Sequence, residues 1–349
     1  MKKIEIGKRM VGDGEPCFII AEVGVNHNGD VTKGKQLIGA AATAGADAVK
    51  FQTFTADRMV AKGAGKASYQ ESTTNARASQ YRMLKKLELT QEDFADLHEY
   101  AKNQGIEFLS TPFDCDSVDS LDKLGISAFK VASGELTNTP LLKTVAKKRK
   151  PIILSTGMSS LCEIETALDV IGKEGGSDVI LLHCVSEYPC VPEHLNLRAI
   201  STLRNAFGKP IGFSDHSLGV NMSLVAVALG ACVLEKHITL SKMQPGPDHK
   251  VSLEPDEFKQ LVKAVRDVEK ALGDGVKRPT DIERETRALV RKSIVAKVDI
   301  PAMSIITKDV LDTKRPATGI QPKFLGRMIG RKAAVDIRKD EAVSWEKLL

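Results

Sequence analysis

Aromatic side chains are scarce. One Trp, four Tyr and eleven Phe amount to 5% of 349 residues, too few to lay down a stacking surface for single-stranded nucleic acid. No CxxC occurs, and the six cysteines (Cys17, Cys115, Cys162, Cys184, Cys190 and Cys232) are scattered. That excludes a clustered metal or redox motif and suits buried thiols in a reducing compartment. No run approaches the ~18 apolar residues of a membrane span, and the basic start MKKIEIGKRM leads into charges and glycines rather than an apolar signal segment. We expect a soluble, cytoplasmic protein with no membrane partner.

What is present is ordinary globular composition, 42% hydrophobic and 27% charged, with length enough for a large barrel and a small appendage. The net charge of +5 is uneven, because 281–349 carries 15 Lys/Arg against 10 Asp/Glu, the entire excess. These cations are interspersed with acids rather than blocked together. Such a surface suits a small anionic ligand or the protein's own body, and no nucleic-acid partner is expected.

From residue 17 onward, short apolar runs alternate with amphipathic stretches. Eight runs read as strands: CFIIAEVGV, AVKFQTF, EFLSTPF, AFKVAS, PIILSTGM, VILLHCVSEYP, PIGFSD and CVLEKHITL. Between them, segments such as KGKQLIGAAATAGA and TPLLKTVAKKR repeat apolar residues at three- and four-residue steps, the mark of one buried helix face. Strands alternating with helices imply parallel pairing through right-handed crossovers. Eight such units suit a closed (β/α)8 TIM barrel. The open doubly wound alternative lacks its fingerprint, since AEVGVNHNGD after the first run is not GxGxxG. Residues 1–280 are assigned to the barrel, 281–292 to a charged linker and 293–349 to a small β-rich domain.

Chemistry in such a barrel gathers at the C-terminal strand ends, and here these are polar. Strand one ends in Glu22, Asn26 and His27, and strand two carries Lys50 and Gln52. Ser110 and Thr111, then Lys130, Ser133 and Glu135, then Ser155 and Thr156, then Glu187 and Tyr188 follow in order. Asp215–His216 and Lys236–His237 close the last two strands. Two imidazoles on neighbouring strands suit a divalent metal that also holds substrate oxygens, although either one alone reads as a hydrogen-bonded core histidine. Lys50 and Lys130 with Ser133 and Ser155 suit a clamp for phosphate and carboxylate. A Schiff-base lysine and a structural ion pair with Glu22 or Glu135 are the alternatives. The loop QPGPDHKVSLEPDEF is shaped by Pro and Gly over the barrel mouth, with Asp248 placed for sugar hydroxyls or for helix capping.

Taken in order, AEVGVNHNGD, AVKFQTF, FLSTPFD, FKVASGELTN, ILSTGM, GFSDHSLG, EKHITL and GPDHKVSLEPDE resemble the sialic acid synthase family. KRPATGI and the later IGRKA resemble that family's antifreeze-like (SAF) domain. The resemblance implies condensation of phosphoenolpyruvate with an N-acetylated mannose-type sugar, releasing phosphate and a nine-carbon 2-keto acid. It implies a divalent metal, Mn2+ or Mg2+, on His216 and His237. Lys50, Thr111, Lys130, Ser133 and Ser155 match the family's phosphoenolpyruvate contacts; Gln52, Tyr188 and Asp248 match sugar contacts. Glu22 matches a catalytic acid–base position. Arg315 matches an arginine that reaches the partner's site in a domain-swapped homodimer.

VASGE and GPDHK argue against the pseudaminic acid branch, while VSE stands between Cys184 and Tyr188 where relatives often place an asparagine. The expected acceptor is N-acetylmannosamine, giving sialic acid; the alternative is 2,4-diacetamido-2,4,6-trideoxymannose, giving legionaminic acid. A Schiff-base aldolase is a rival among enzymes. A binding protein with an ice- or sugar-binding tail is a rival outside them, and it leaves the polar barrel rim unexplained.

Overall fold

The computed structural model describes residues 2–67, 70, 71, 74, 79–176 and 178–349. It divides into two compact units, Met1–Gly273 and Asp274–Leu349.

In the first unit eight strands close into a parallel barrel. They are β1 (Phe18–Gly24), β2 (Ala48–Thr53), β3 (Glu107–Pro112), β4 (Phe129–Val131), β5 (Ile152–Ser155), β6 (Val179–Cys184), β7 (Ile211–Asp215) and β8 (Val233–His237). All eight runs read as strands are therefore strands. Neighbours pair in chain order, and β8 returns to β1 with His237 opposite Glu22. Helices α1 (Val31–Ala44), α2 (Gln91–Asn103), α3 (Cys115–Leu124), α4 (Thr139–Lys147), α5 (Leu161–Lys173), α6 (Ala199–Phe207) and α7 (Asn221–Ala228) make the crossovers, and α8 (Pro255–Leu272) follows β8. Local signals explain their limits. Ser160 and Glu163 form a reciprocal capping box at the start of α5, and Gly125 ends α3 in the left-handed conformation that favours glycine.

Strand side chains alternate between faces, and the two apolar clusters divide by that parity. Ile19, Ala21 and Val23 of β1, with Val49, Phe51, Phe129, Leu154, Leu181 and Phe213, pack outward against the helices. Phe18, Ile20, Ala48, Leu109, Ile153, Ile180, Leu182 and Val233 fill the barrel's interior. An N-terminal hairpin, Ile4–Ile6 with Arg9–Val11, adds Ile4, Ile6 and Val11 to this inner cluster and floors the barrel. Each such buried Val, Leu, Ile or Phe side chain contributes roughly 1.5–3 kcal/mol against the entropy of ordering the chain.

The second unit pairs β9 (Ser293–Ala296) antiparallel with β10 (Leu311–Lys314). Its core gathers Ile294, Ile300, Ile306, Ile320, Ile337 and Val343. The charged stretch assigned to a linker contains α9 (Asp281–Val290), opened by a Thr280–Glu283 capping box. The Ala317 N–H donates to the Ala288 carbonyl at 2.9 Å, tying α9 to the loop after β10. No helix among the described residues is long and apolar enough to cross a membrane.

Candidate active site

Continuing each strand's inward parity past the apolar interior brings polar residues to the barrel mouth. Two residues beyond Ile20 stands Glu22, beyond Ala48 Lys50 and Gln52, and beyond Leu109 Thr111. Beyond Ile153 stands Ser155, beyond Leu182 Cys184, and beyond Val233 Glu235 and His237. All of these line one cavity of about 400 Å³, together with Lys130, Ser133, Tyr188, Ser214, His216 and Asp248. Every site residue that the family resemblance assigned, except Arg315, lies in this cup. Arg315 belongs to the second unit.

At its centre is a charge network. Lys50 Nζ lies 2.6 Å from Glu22 Oε2 and donates to Thr111 Oγ1 at 3.1 Å, while Gln52 Nε2 donates to Glu22 Oε1 at 3.2 Å. Lys130 Nζ is 3.5 Å from Glu235 Oε1, and Lys50 Nζ is 3.8 Å from Glu235 Oε2. Burial pushes Glu22 up to about 7, although Lys50 pulls the other way. Burial also pushes Lys50 down, but Glu22 and Glu235 outweigh it and hold the ammonium above its usual range. Lys130, more weakly paired, is pushed down by burial. The structural pair anticipated for the lysines exists, with Glu22, and coexists with their position in the cup. Glu135 instead accepts from Asn138 Nδ2 at 2.6 Å.

The histidines meet as expected. The rings of His216 and His237 are 5.6 Å apart between centroids, and Tyr188 lies over His216 at 4.0 Å. His216 Nδ1–H donates to the Val185 carbonyl at 2.8 Å; burial pushes the ring down, but Cys184 and that carbonyl outweigh it and raise it above its usual range. His237 Nδ1 is buried without a hydrogen-bond partner among the described residues. Burial, with His216 and Lys50 nearby, holds His237 well below its usual range and therefore neutral. Neutral His237, and His216 once a metal displaces its proton, together fit a divalent ion. Among the described residues no third His, Cys, Asp or Glu completes a metal-binding group, so substrate or water oxygens would fill the remaining positions.

The NeuB family profile matches residues 37–277, and the SAF domain profile matches 291–349. The chain belongs to the NeuB family. It is 49% identical over 328 residues to the N,N'-diacetyllegionaminic acid synthase of Campylobacter jejuni, covering 93% of this chain and 98% of that one. The Legionella pneumophila enzyme of the same name is 46% identical over 341 residues, covering 97% and 96%. Among solved structures, the N-acetylneuraminic acid synthetase of Leptospira borgpetersenii, in complex with citrate, superposes with a TM-score of 0.73 at 36% identity, over 82% of this chain and 95% of that chain.

Several strand-end residues of this NeuB-family chain do not enter the cup. Asn26 Nδ2 donates to the Ile238 carbonyl and to Ser252 Oγ, both at 2.8 Å. His27 packs beside Phe51, and Thr156 Oγ1 donates to the Leu182 carbonyl. Ser110 pairs with Thr53, and Glu187 with His194. Asp215 and Lys236 have the outward parity and form a fully buried pair at 3.0 Å. Asp248 makes no helix-capping bond; burial pushes it up to about 6 at the cup wall. The reading of strand ends missed Glu235, Ser214 and Cys184. Glu235 shares the parity of His237, and Ser214 Oγ donates to it at 2.9 Å, so alternation along LEKH carried the signal.

Proposed function

We propose that the protein condenses phosphoenolpyruvate with an N-acetylated mannose-type sugar, giving a nine-carbon 2-keto acid and inorganic phosphate. The observation that supports this most is the buried pair of ammonium groups, Lys50 and Lys130, in one cup with the hydroxyls of Thr111, Ser133 and Ser155. That donor set suits a ligand with both phosphate and carboxylate. Ser155 Oγ is buried without a hydrogen-bond partner among the described residues, as a hydroxyl reserved for ligand would be. An ammonium held protonated by two carboxylates also makes Lys50 a poor Schiff-base nucleophile.

C3 of the enol phosphate bonds to the aldehyde carbon and the aldehyde oxygen gains a proton. A water oxygen bonds to C2, and phosphate leaves as C2 becomes the keto carbon. Glu22, a carboxyl titrating at about 7 beside the lysines, exchanges the protons. Gln52, Tyr188 and Asp248 hold the sugar. A manganese or magnesium ion on His216 and His237 would polarise the aldehyde oxygen as a Lewis acid. Arg315 reaches the N-acetyl group from the partner of a domain-swapped homodimer, and the enzyme works in the cytoplasm, consistent with six free cysteines.

Between the two acceptors, the trideoxy sugar now has the stronger support. Relatives named legionaminic acid synthases share 46 and 49% of residues, against 36% for the N-acetylneuraminic acid synthetase. The test is phosphate release from phosphoenolpyruvate with manganese, comparing 2,4-diacetamido-2,4,6-trideoxymannose with N-acetylmannosamine, with and without chelator. Preference for the first sugar is expected. Release with neither, or chelator-resistant cleavage without phosphate, would overturn the reading.

A further inference from the structure

Apart from Arg315, the cations of the C-terminal segment have no part in the proposed reaction. Within the second unit they are concentrated. Arg284 and Arg287 lie one turn apart on α9, and Arg291 follows as its C-cap in extended backbone. Opposite runs the loop from Ala317 to Lys323. Between them lies a cavity of about 500 Å³ lined by Arg284, Arg287, Arg291, Lys292 and Lys323, with Ala288, Ala317, Gly319, Gln321 and Pro322 between the cations and no carboxylate. Arg284 pairs with Asp281, outside the lining, at 2.6 Å. Arg287, Arg291 and Lys292 make no ion pair among the described residues. A solvated basic face is ordinarily interspersed with acids, as the rest of 281–349 is; here five cations converge on one concavity.

The two sides are held in place independently of any ligand. The Thr280–Glu283 box fixes the start of α9, and the Ala317 N–H to Ala288 carbonyl bond joins its last turn to the facing loop. Ser293 Oγ accepts from the Gly319 N–H at 2.8 Å and donates to the Pro316 carbonyl at 2.7 Å. The loop is thereby pinned to the buried start of β9. Guanidinium groups match phosphate oxygens with paired donors. The volume exceeds what a single phosphate needs and lies in the range of small-molecule sites.

We propose that this cavity binds a small molecule carrying two or more phosphate groups, of nucleoside-diphosphate size, with the phosphates on Arg287, Arg291 and Lys292 and the remainder against Ala288 and Pro322. The site is independent of the barrel reaction. Calorimetric titration of the full chain with inorganic pyrophosphate and with ADP tests it, in a Lys50→Met/Lys130→Met background that removes the barrel's own anion clamp. Both probes are expected to bind at physiological ionic strength. ADP binding tighter than pyrophosphate assigns the ligand to nucleotides, and equal binding assigns it to the polyphosphate moiety; either outcome supports the site. Arg287→Ala/Arg291→Ala is expected to weaken binding by about tenfold or more, and Arg287→Lys/Arg291→Lys by less, because charge remains while the fork is lost. Unaltered melting of these variants separates loss of binding from loss of fold. No binding of either probe, or binding indifferent to both arginine variants, overturns the proposal. So does a single-stranded oligonucleotide that displaces both probes with affinity growing with its length.

Discussion

Lys50 Nζ sits 2.6 Å from Glu22 Oε2 with both side chains almost sealed from solvent. The contact joins the group proposed to hold phosphoenolpyruvate to the group proposed to move protons. Because burial lifts Glu22 to about 7, it changes state where an enzyme at neutral pH needs it to. Glu22→Gln is expected to lower kcat by about 10²–10⁴ and to remove the limb of the pH–rate profile centred near 7. Phosphate release followed from pH 5.5 to 9 checks both. An unchanged profile in the variant would sink this role.

Glu235 neutralises two lysines that are both buried. Replacing it by Gln leaves Glu22 alone against them, and an uncompensated buried charge costs about 3–5 kcal/mol. Glu235→Gln is therefore expected to melt earlier than the parent. Phosphoenolpyruvate, an anion in the same cup, should raise its melting temperature by more than it raises the parent's. Denaturation scans with and without phosphoenolpyruvate decide this, and equal ligand shifts would count against it.

Metal removal separates the imidazole pair from the rest of the cup. Full chelation is expected to abolish phosphate release, and manganese to restore it. His237→Ala should weaken manganese binding at least about tenfold, read directly from the spin-resonance signal of free manganese. Undiminished binding in that variant would rule out His237 as a ligand.

His27 titrates differently in the folded and unfolded chain. Its ring is buried, its Nδ1 accepts from the Gly29 N–H at 3.0 Å, and burial lowers its pKa to about 4. The unfolded chain takes up this proton below about 6.5, and the folded chain only near 4. Stability attributable to His27 is therefore intact above pH 6.5 and is lost as pH falls to about 4, by at most about 3–4 kcal/mol. In His27→Gln, urea denaturation at pH 7, 6, 5 and 4 should show a shallower decline than in the parent. Parallel curves would contradict the assignment.

Gly212 carries β7 between its neighbours with no room to spare. A Cβ there would stand 2.5 Å from Leu182 Cδ2 and 2.6 Å from the Val233 carbonyl oxygen. Backbone cannot yield as a flexible side chain does, so Gly212→Ala should destabilise by about 1–3 kcal/mol. A thermal melt at pH 7 tests this; an unshifted midpoint would mean that the barrel relaxes more freely than its packing implies.

The barrel was legible because its strands are short apolar runs at regular intervals, and so were most cup residues, because they end those runs. Strand-end position alone could not separate Glu22 from Asn26, or His237 from Lys236. That separation depends on parity, and parity is anchored by which apolar residues face inward, as Ile20 and Val233 do. Glu235 was passed over for the same reason, lying two residues before His237 with the outward-facing Lys236 between them. In the second unit, composition reported the cations of 281–349. Their convergence arises only when α9 and the loop after β10 are laid side by side.

The hairpin of Ile4–Ile6 and Arg9–Val11 has a further consequence for traffic. Ile4, Ile6 and Val11 join the apolar side chains that already fill the barrel's interior, so the cup is a vessel with a single rim. Arrival and departure then share one doorway, and any segment that covers the rim during a turnover must uncover it before the next.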